Sequence, residues 1–332
     1  MSIVGFGDFL MHFSPHDTDR FLQTSTMDLT FTGAEANVCA ALGLWKEKVR
    51  FVTKLPNHAL SVKGTMFLSA FHVDTDSIAY GDGRMGLYFL EKGHSVRPSS
   101  VIYDRSGTVF TESKFDDYRW DEILDHAEVF YLTGITPSLS DSLLECCEKA
   151  MKKASERHIP VFYDVNLRPT ICDIEQSRYV FGKLSPYITH LISNEEHLKQ
   201  LLEYTQTATD DRERLLELAN ATMARTHIKN IAITVRRTYS AHQTAFFASY
   251  FNGEDIALSR KYELDVVDRV GSGDAFSAGM VYAAVHGFDL SEAVEFSSAS
   301  CALKHTINSD INYSGVEEIK AVMKSSRLDV TR

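Results

Sequence analysis

The chain of 332 residues lacks any arrangement of cysteines that could staple a small fold or build a metal site. Its five cysteines (Cys39, Cys146, Cys147, Cys172 and Cys301) are odd in number, two are adjacent, and none forms a C-x-x-C. This excludes a disulfide framework and a zinc ribbon, and it predicts buried free thiols in a reducing compartment. No apolar run approaches the ~18 residues that a membrane-spanning helix needs. There is no basic block either: 34 Lys and Arg stand against 45 Asp and Glu, a formal charge of −11. Such a chain is poorly suited to duplex nucleic acid or an anionic membrane, but a local pocket can still hold an anion. The opening "MSIVGFGDFL" lacks the basic flank and cleavage site of a signal peptide and reads as a first strand. These absences predict a cytoplasmic protein without nucleic-acid or membrane partners.

Catalytic constellations of several common kinds are also missing. The 13 histidines include no H-E-x-x-H, so core or solvated histidines are expected and no metal held directly by the protein. No Ser/His/Asp or Cys/His order stands out. A Walker A loop is absent, since no G-K-[ST] follows a glycine-rich turn.

What remains is ordinary globular composition, with 44% hydrophobic and 24% charged residues and enough length to bury a sizeable core. Short apolar runs at 2–8, 49–55, 128–135, 159–166, 189–194 and 229–235 read as strands. Helical patterns lie at 35–46, 140–157, 195–204, 211–226, 274–287, 290–305 and 315–325. In "SDSLLECCEKAMKKASERH", Leu143, Cys147, Ala150 and Ala154 recur on one face at helical spacing. Strands alternating with helices predict an α/β protein with a mainly parallel sheet covered on both sides. Its ligand would lie at the carboxyl ends of the strands. Two stretches, about 9–32 and 80–113, alternate with period two instead, as in "MGLYFLEKG" and "SSVIYDRSG". They predict an antiparallel β flap added to one domain spanning 1–332. "AFFASYF" (245–251) reads as strand core, and "DDRERLLE" (210–217) as a solvated helix start.

The most informative stretch is "DRVGSGDAFSAG" (268–279). Glycines before a helix let backbone N–H groups converge, and the helix N-terminus adds partial positive charge, so Gly271, Ser272 and Gly273 can cradle an anion. Asp274 would stand in the first helical turn beside it. A carboxylate there cannot attract phosphate, but it can take the proton of a hydroxyl that attacks phosphorus. The plain alternative is a tight turn with Asp274 as a helix cap.

"DRVGSGDAFSAGM" (268–280) resembles the C-terminal signature of the ribokinase-like (PfkB) sugar kinases, and "FTGAEANVCAALG" (31–43) resembles their N-terminal one. "GLYFLEKG", "RPSSVIYDRSG", "YLTGITPSLS", "DVNLRPTI" and "SNEEHL" fall between them in family order, so the resemblance covers nearly the whole chain. The pairs Y-x-R and D-x-N-x-R, with "DRVG" before the acid, point to the branch that phosphorylates 2-keto-3-deoxygluconate. The resemblance implies a three-layer ribokinase-like fold in which the flap is a β-sheet lid. It implies ATP, Mg²⁺ carried with ATP, and room for a monovalent cation, with related kinases pairing through their lids into dimers or larger assemblies.

Matched positions imply roles. Asp274 would be the base, with Gly271–Gly273 as the anion hole. Gly33, Asn37, Tyr88, Tyr103, Arg105, Arg168 and Asp310 would contact the sugar acid, and Asn166, Asn194, Thr234 and Arg236 the nucleotide. Arg168 is alternatively turned to the phosphates, and the alternative for Tyr88 and Tyr103, the less favoured one, is that they are packing aromatics of the flap. The chain departs from the family at His197, where an acid usually ends N-x-x-E, leaving Glu195 or Glu196 to influence Mg²⁺. It departs also at "LPNHALS" (55–61), at Thr32, and at His12, where the branch often has arginine. Three functions stay open: a keto-deoxy sugar acid kinase, a kinase of a neutral sugar of the fructose or ribose type, and a non-catalytic sugar or nucleotide sensor.

Overall fold

A computed structural model describes residues 1–324. Its central sheet has ten strands. From one edge they run Ile256–Leu258, Gln243–Phe251, Asn230–Thr238, His190–Asn194, Val161–Asp164, Ala127–Thr133, Ser2–Phe6, Val49–Val52 and Val73–Asp74, and Tyr262–Asp265 also pairs with Gln243–Phe251. From Val73–Asp74 through Asn230–Thr238 all pairings are parallel. Beyond that, a hairpin turns the chain antiparallel into Gln243–Phe251.

The strands show why the sheet must be covered twice. Ile3, Val129, Tyr131, Phe162, Ile192 and Ala232 face one hydrophobic cluster, and Val4, Phe6, Phe130, Leu132, Val161 and Leu191 face the other. A period of two that is apolar on both sides can only be buried between two helical layers. One layer holds the helices Ala34–Leu44, Ala59–Ser69, Ser272–Val285, Leu290–Lys304 and Val316–Lys324; the other holds Asp141–Glu156, Ile174–Leu184, Glu195–Leu202 and Asp211–Thr226. Leu143, Cys147, Ala150 and Ala154 form the buried stripe of Asp141–Glu156, as their spacing predicts. Ala34–Leu44 and Ser272–Val285 are instead buried nearly all round, and both bring their N-termini to the site.

A separate four-stranded sheet has the order Asp28–Thr32, Leu10–Ser14, Leu87–Glu91, Ser100–Asp104. Its inner face carries Leu10, Tyr88 and Leu90.

Several expectations need correction. The small sheet is not wholly antiparallel: its two middle strands pair in parallel, because they come from two separate segments of chain. It ends near residue 104; Phe110 packs on Phe6 of the main core at 5.6 Å, and Ala79–Gly81 pairs with Lys54–Pro56 in a two-stranded ribbon. The apolar run 49–55 is therefore broken after Val52. Ala59–Ser69 and Ile174–Leu184 are helices without a strong enough sequence signal to be read; the second is capped by the Asp173 carboxylate, which accepts from the Gln176 N–H at 2.8 Å. Cys39, Cys146, Cys147 and Cys301 are buried free thiols, while Cys172 is partly exposed.

Candidate active site

A cleft of about 420 Å³ opens where the carboxyl ends of the parallel strands meet the small sheet. The candidate base, anion-hole, sugar and nucleotide residues named from the sequence all line it: Gly33, Asn37, Tyr88, Tyr103, Arg105, Asn166, Arg168, Asn194, Thr234, Arg236, Gly271, Ser272, Gly273, Asp274 and Asp310. Residues up to 277 positions apart in the chain (33 to 310) thus converge on one cavity.

Asp274 is the third residue of the helix Ser272–Val285. Its carboxylate accepts the Asn37 amide N–H at 2.8 Å, which joins the N-termini of the two buried helices. Burial raises the Asp274 pKa to about 7; the Asn37 hydrogen bond and the Arg168 charge oppose the rise, and the carboxylates of Asp164 and Glu35 add to it. Asp164, the last residue of its strand, is pushed by burial to about 6 against the pull of Arg168, the Asn166 N–H at 3.0 Å and the Ser277 hydroxyl at 3.3 Å. Glu35 is also raised by burial, although one of its oxygens accepts the Thr133 N–H at 2.9 Å and the Thr133 and Thr136 hydroxyls at 2.8 Å each.

The turn before the helix needs a glycine. Gly271 has φ +75°, and a Cβ on it would lie 1.8 Å from the Asp310 carbonyl oxygen. Both the left-handed backbone and that close approach exclude a side chain. A Cβ on Gly273 would meet nothing within 4 Å, since this residue faces the open cleft. The first N–H groups of a helix have no intrahelical partner, so this turn presents donors to whatever enters.

Charges are divided along the cleft. At the end under the small sheet, acids are compensated. Asp8 takes two N–H groups of Arg105 at 2.8 and 3.2 Å, and both side chains are buried. The neighbouring Asp104 bridges to Arg84 at 2.8 Å. Asp310 lies 3.1 Å from His12 in a contact off hydrogen-bond alignment. Burial alone would raise the Asp310 pKa, but His12, Thr32 and Lys304 hold it below its ordinary value. His12, Tyr88 and Tyr103 form a row of rings with centroids 4.6 and 5.3 Å apart.

The opposite end is cationic. No carboxylate of the described residues pairs with Arg168, Arg236 or Arg269; Arg269 donates to the carbonyls of Ser240 and Ala241 at 3.1 and 2.8 Å. Three guanidiniums left in this state suit a polyphosphate. Beside them Asn194 caps the helix Glu195–Leu202, accepting from the Glu196 N–H at 2.9 Å. His197 lines the same wall, and burial together with Arg168 and Arg236 pushes its pKa down to about 4, so it is neutral at physiological pH. Glu195 is buried against Arg214 and Lys199, and Glu196 is exposed beside Lys199 at 2.8 Å. Neither acid lines the cleft.

Among the described residues, no group of three or more His, Cys, Asp or Glu is arranged to hold a metal ion. His12 and His16 have H-x-x-x-H spacing, but they lie on and just beyond an extended strand, and His16 pairs with Asp28 at 3.0 Å. Sequence reasoning missed Asp8, Glu35, Asp164 and Arg269 as site residues. Asp8 and Asp164 stand at the ends of strands in a parallel sheet, which was the signal available for them.

A profile of the pfkB family carbohydrate kinase matches residues 2–312. The chain is similar to the crystal structure of 2-dehydro-3-deoxygluconokinase from Thermotoga maritima, with 38% identity, 98% of this chain and 100% of that one covered, and a TM-score of 0.95. It is 26% identical to the 2-dehydro-3-deoxygalactonokinase of Haloferax volcanii over 99% of each chain. An uncharacterized sugar kinase from Pyrococcus horikoshii, solved in complex with ATP, shares the fold at 19% identity and a TM-score of 0.74, with 96% and 99% of the two chains covered.

Proposed function

The chain belongs to the pfkB family of carbohydrate kinases, and from that premise we propose that it transfers the γ-phosphoryl group of ATP to the 6-hydroxyl of 2-keto-3-deoxygluconate. The names of its relatives support a 2-keto-3-deoxy sugar acid as acceptor. The observation that carries the chemistry is the Asp274 carboxyl, buried beside the Gly271–Gly273 turn and raised to about 7.

In this reading the sugar lies under the small sheet against Gly33, Asn37, Tyr88, Tyr103 and Asp310, and ATP lies along Asn166, Asn194, Thr234 and Arg236. The hydroxyl oxygen forms a bond to the γ-phosphorus as the bond to the β-phosphate oxygen breaks, and ADP leaves with that electron pair. The hydroxyl proton passes to Asp274. A base whose pKa lies near the working pH accepts a proton readily while about half of it is still ionised. Backbone donors of the 271–273 turn face the charge on the transferring group, each contributing about 3 kcal/mol in comparable sites. Arg168, Arg236 and Arg269 hold the remaining phosphate oxygens.

Glu195 and Glu196 are committed to Lys199 and Arg214, so the donor set fits a Mg²⁺ that arrives with ATP and keeps its waters, with Asp164 as the protein oxygen that would meet it. When bound, the ion neutralises oxygens of the β- and γ-phosphates. Arg105 spends one edge on Asp8 and keeps Nη1 for the carboxylate of the acid substrate. With ATP as co-substrate and free thiols throughout, the cytoplasm is the fitting location; among the described residues, no helix is long and apolar enough to cross a membrane. The outer face of the small sheet aligns Leu29, Phe13, Phe89 and Ile102, and Ile102 is 52% exposed. A second copy of the chain would cover this apolar row, which favours a dimer through the small sheets.

Four outcomes are expected. ADP release measured across a panel of sugars and sugar acids should be fastest with 2-keto-3-deoxygluconate. Asp274→Asn should lower kcat roughly 10²–10⁴-fold with little change in sugar binding; near-normal turnover would remove Asp274 from the chemistry. The double variant Asp8→Asn/Arg105→Ala leaves no buried unpaired charge, and it should lose ~2–4 kcal/mol in kcat/KM for the acid and far less for neutral sugars. An equal loss, or a wild-type preference for fructose, would contradict an acid substrate. Light scattering at micromolar concentration should give at least the mass of two chains, and Ile102→Asp should shift it toward one; a wild-type monomer would refute the pairing.

A further inference from the structure

Behind the glycine turn lies a lysine with no exposed surface. Lys304 ends the helix Leu290–Lys304 and is 0% exposed. Buried lysines are normally matched by a carboxylate. This ammonium instead donates to two main-chain carbonyls, Asp268 O at 3.0 Å and Ile307 O at 3.3 Å. The Asp268 carboxylate turns elsewhere, to Lys92 at 3.0 Å and to the Val270 N–H at 3.0 Å.

The two carbonyls belong to the two loops that wall the anion cradle. Residues 268–271 carry Gly271, and residues 305–312 carry Asp310, whose carbonyl Gly271 approaches too closely for any side chain. Between these loops the Val267 and Asp268 N–H groups also donate to His305 O at 2.8 and 3.2 Å. Lys304 does not line the cleft, so it acts on the cradle only by fixing it. Burial lowers its pKa, and the carboxylates of Asp268 and Asp310 oppose that loss of charge.

Carbonyl oxygens converging on one dehydrated positive charge are the ligands that a potassium ion takes in a protein. The resemblance allowed for a monovalent cation; at this place such an ion does not fit, because the ammonium already holds the carbonyls. We propose that Lys304 is a built-in cation that positions the 268–273 loop, so that the enzyme needs no bound monovalent cation. The proposal rests on the kinase reading for its effect on turnover, but not for its effect on stability.

The wild-type protein, dialysed into tetramethylammonium chloride at constant ionic strength, is assayed and melted with added K⁺, Na⁺ or NH₄⁺. Rate and Tm should stay unchanged. Lys304→Ala leaves a carbonyl-lined void, and in tetramethylammonium kcat should fall by roughly 10–10³-fold with little change in the sugar KM. K⁺, NH₄⁺ or ethylammonium should restore most of that loss and raise the variant's Tm, an effect absent from wild type. Lys304→Met fills the volume without charge and should not be rescued. Strong activation of wild type by K⁺, or a Lys304→Ala variant indifferent to every cation in both rate and Tm, would overturn the proposal. If wild type phosphorylates no acceptor, the kinase reading fails while the Tm comparison still decides the role of Lys304.

Discussion

The arrangement depends on one hydrogen bond, from the Asn37 amide to the Asp274 carboxylate, made where two helices buried nearly all round bring their N-termini together. A carboxyl group in such a place is held between opposing demands. Burial favours its neutral form, and the helix end and the amide favour its charge. Burial outweighs the opposing groups, so the pKa rises to about 7 instead of staying near the ordinary value for aspartate. Glu35, two residues before Asn37, accepts from the Thr133 and Thr136 hydroxyls and ties the helix to the sheet.

The rest of the cleft divides the work by charge compensation. On the side of the small sheet, Asp8 pairs with Arg105 and His12 sits against Asp310, so what this end offers a ligand is mainly directional hydrogen bonding. That suits a small polyhydroxylated ligand with one acid group. On the other side the three arginines carry no carboxylate partner among the described residues, and the cost of crowding them is recovered only when an anion enters. The neutral His197 removes one negative charge from that wall, which strengthens its demand for phosphate.

Much of this was legible in the sequence, for identifiable reasons. The parallel sheet follows from apolar runs separated by helical stripes, and the cradle from two glycines and an acid before a small-residue helix. The individual side chains that converge could be named because a family motif marks each of them. Asp8, Glu35 and Arg269 were not marked, and their importance comes from partners far along the chain: Arg105, Thr133, and the carbonyls of Ser240 and Ala241. Local pattern carries no information about such pairs. The antiparallel edge built by Gln243–Phe251 was hidden likewise, since a buried strand reads the same in either direction. His12 looked like a departure in the sequence, yet in the fold it compensates Asp310.

The central claim is that the fold itself poises Asp274, before any ligand binds. Site-resolved carboxyl ¹³C NMR of the free protein, with Asp274→Asn used to assign the resonance, measures this directly. The account predicts an Asp274 titration midpoint near 7. A midpoint near the ~3.9 of an unperturbed aspartate would contradict it.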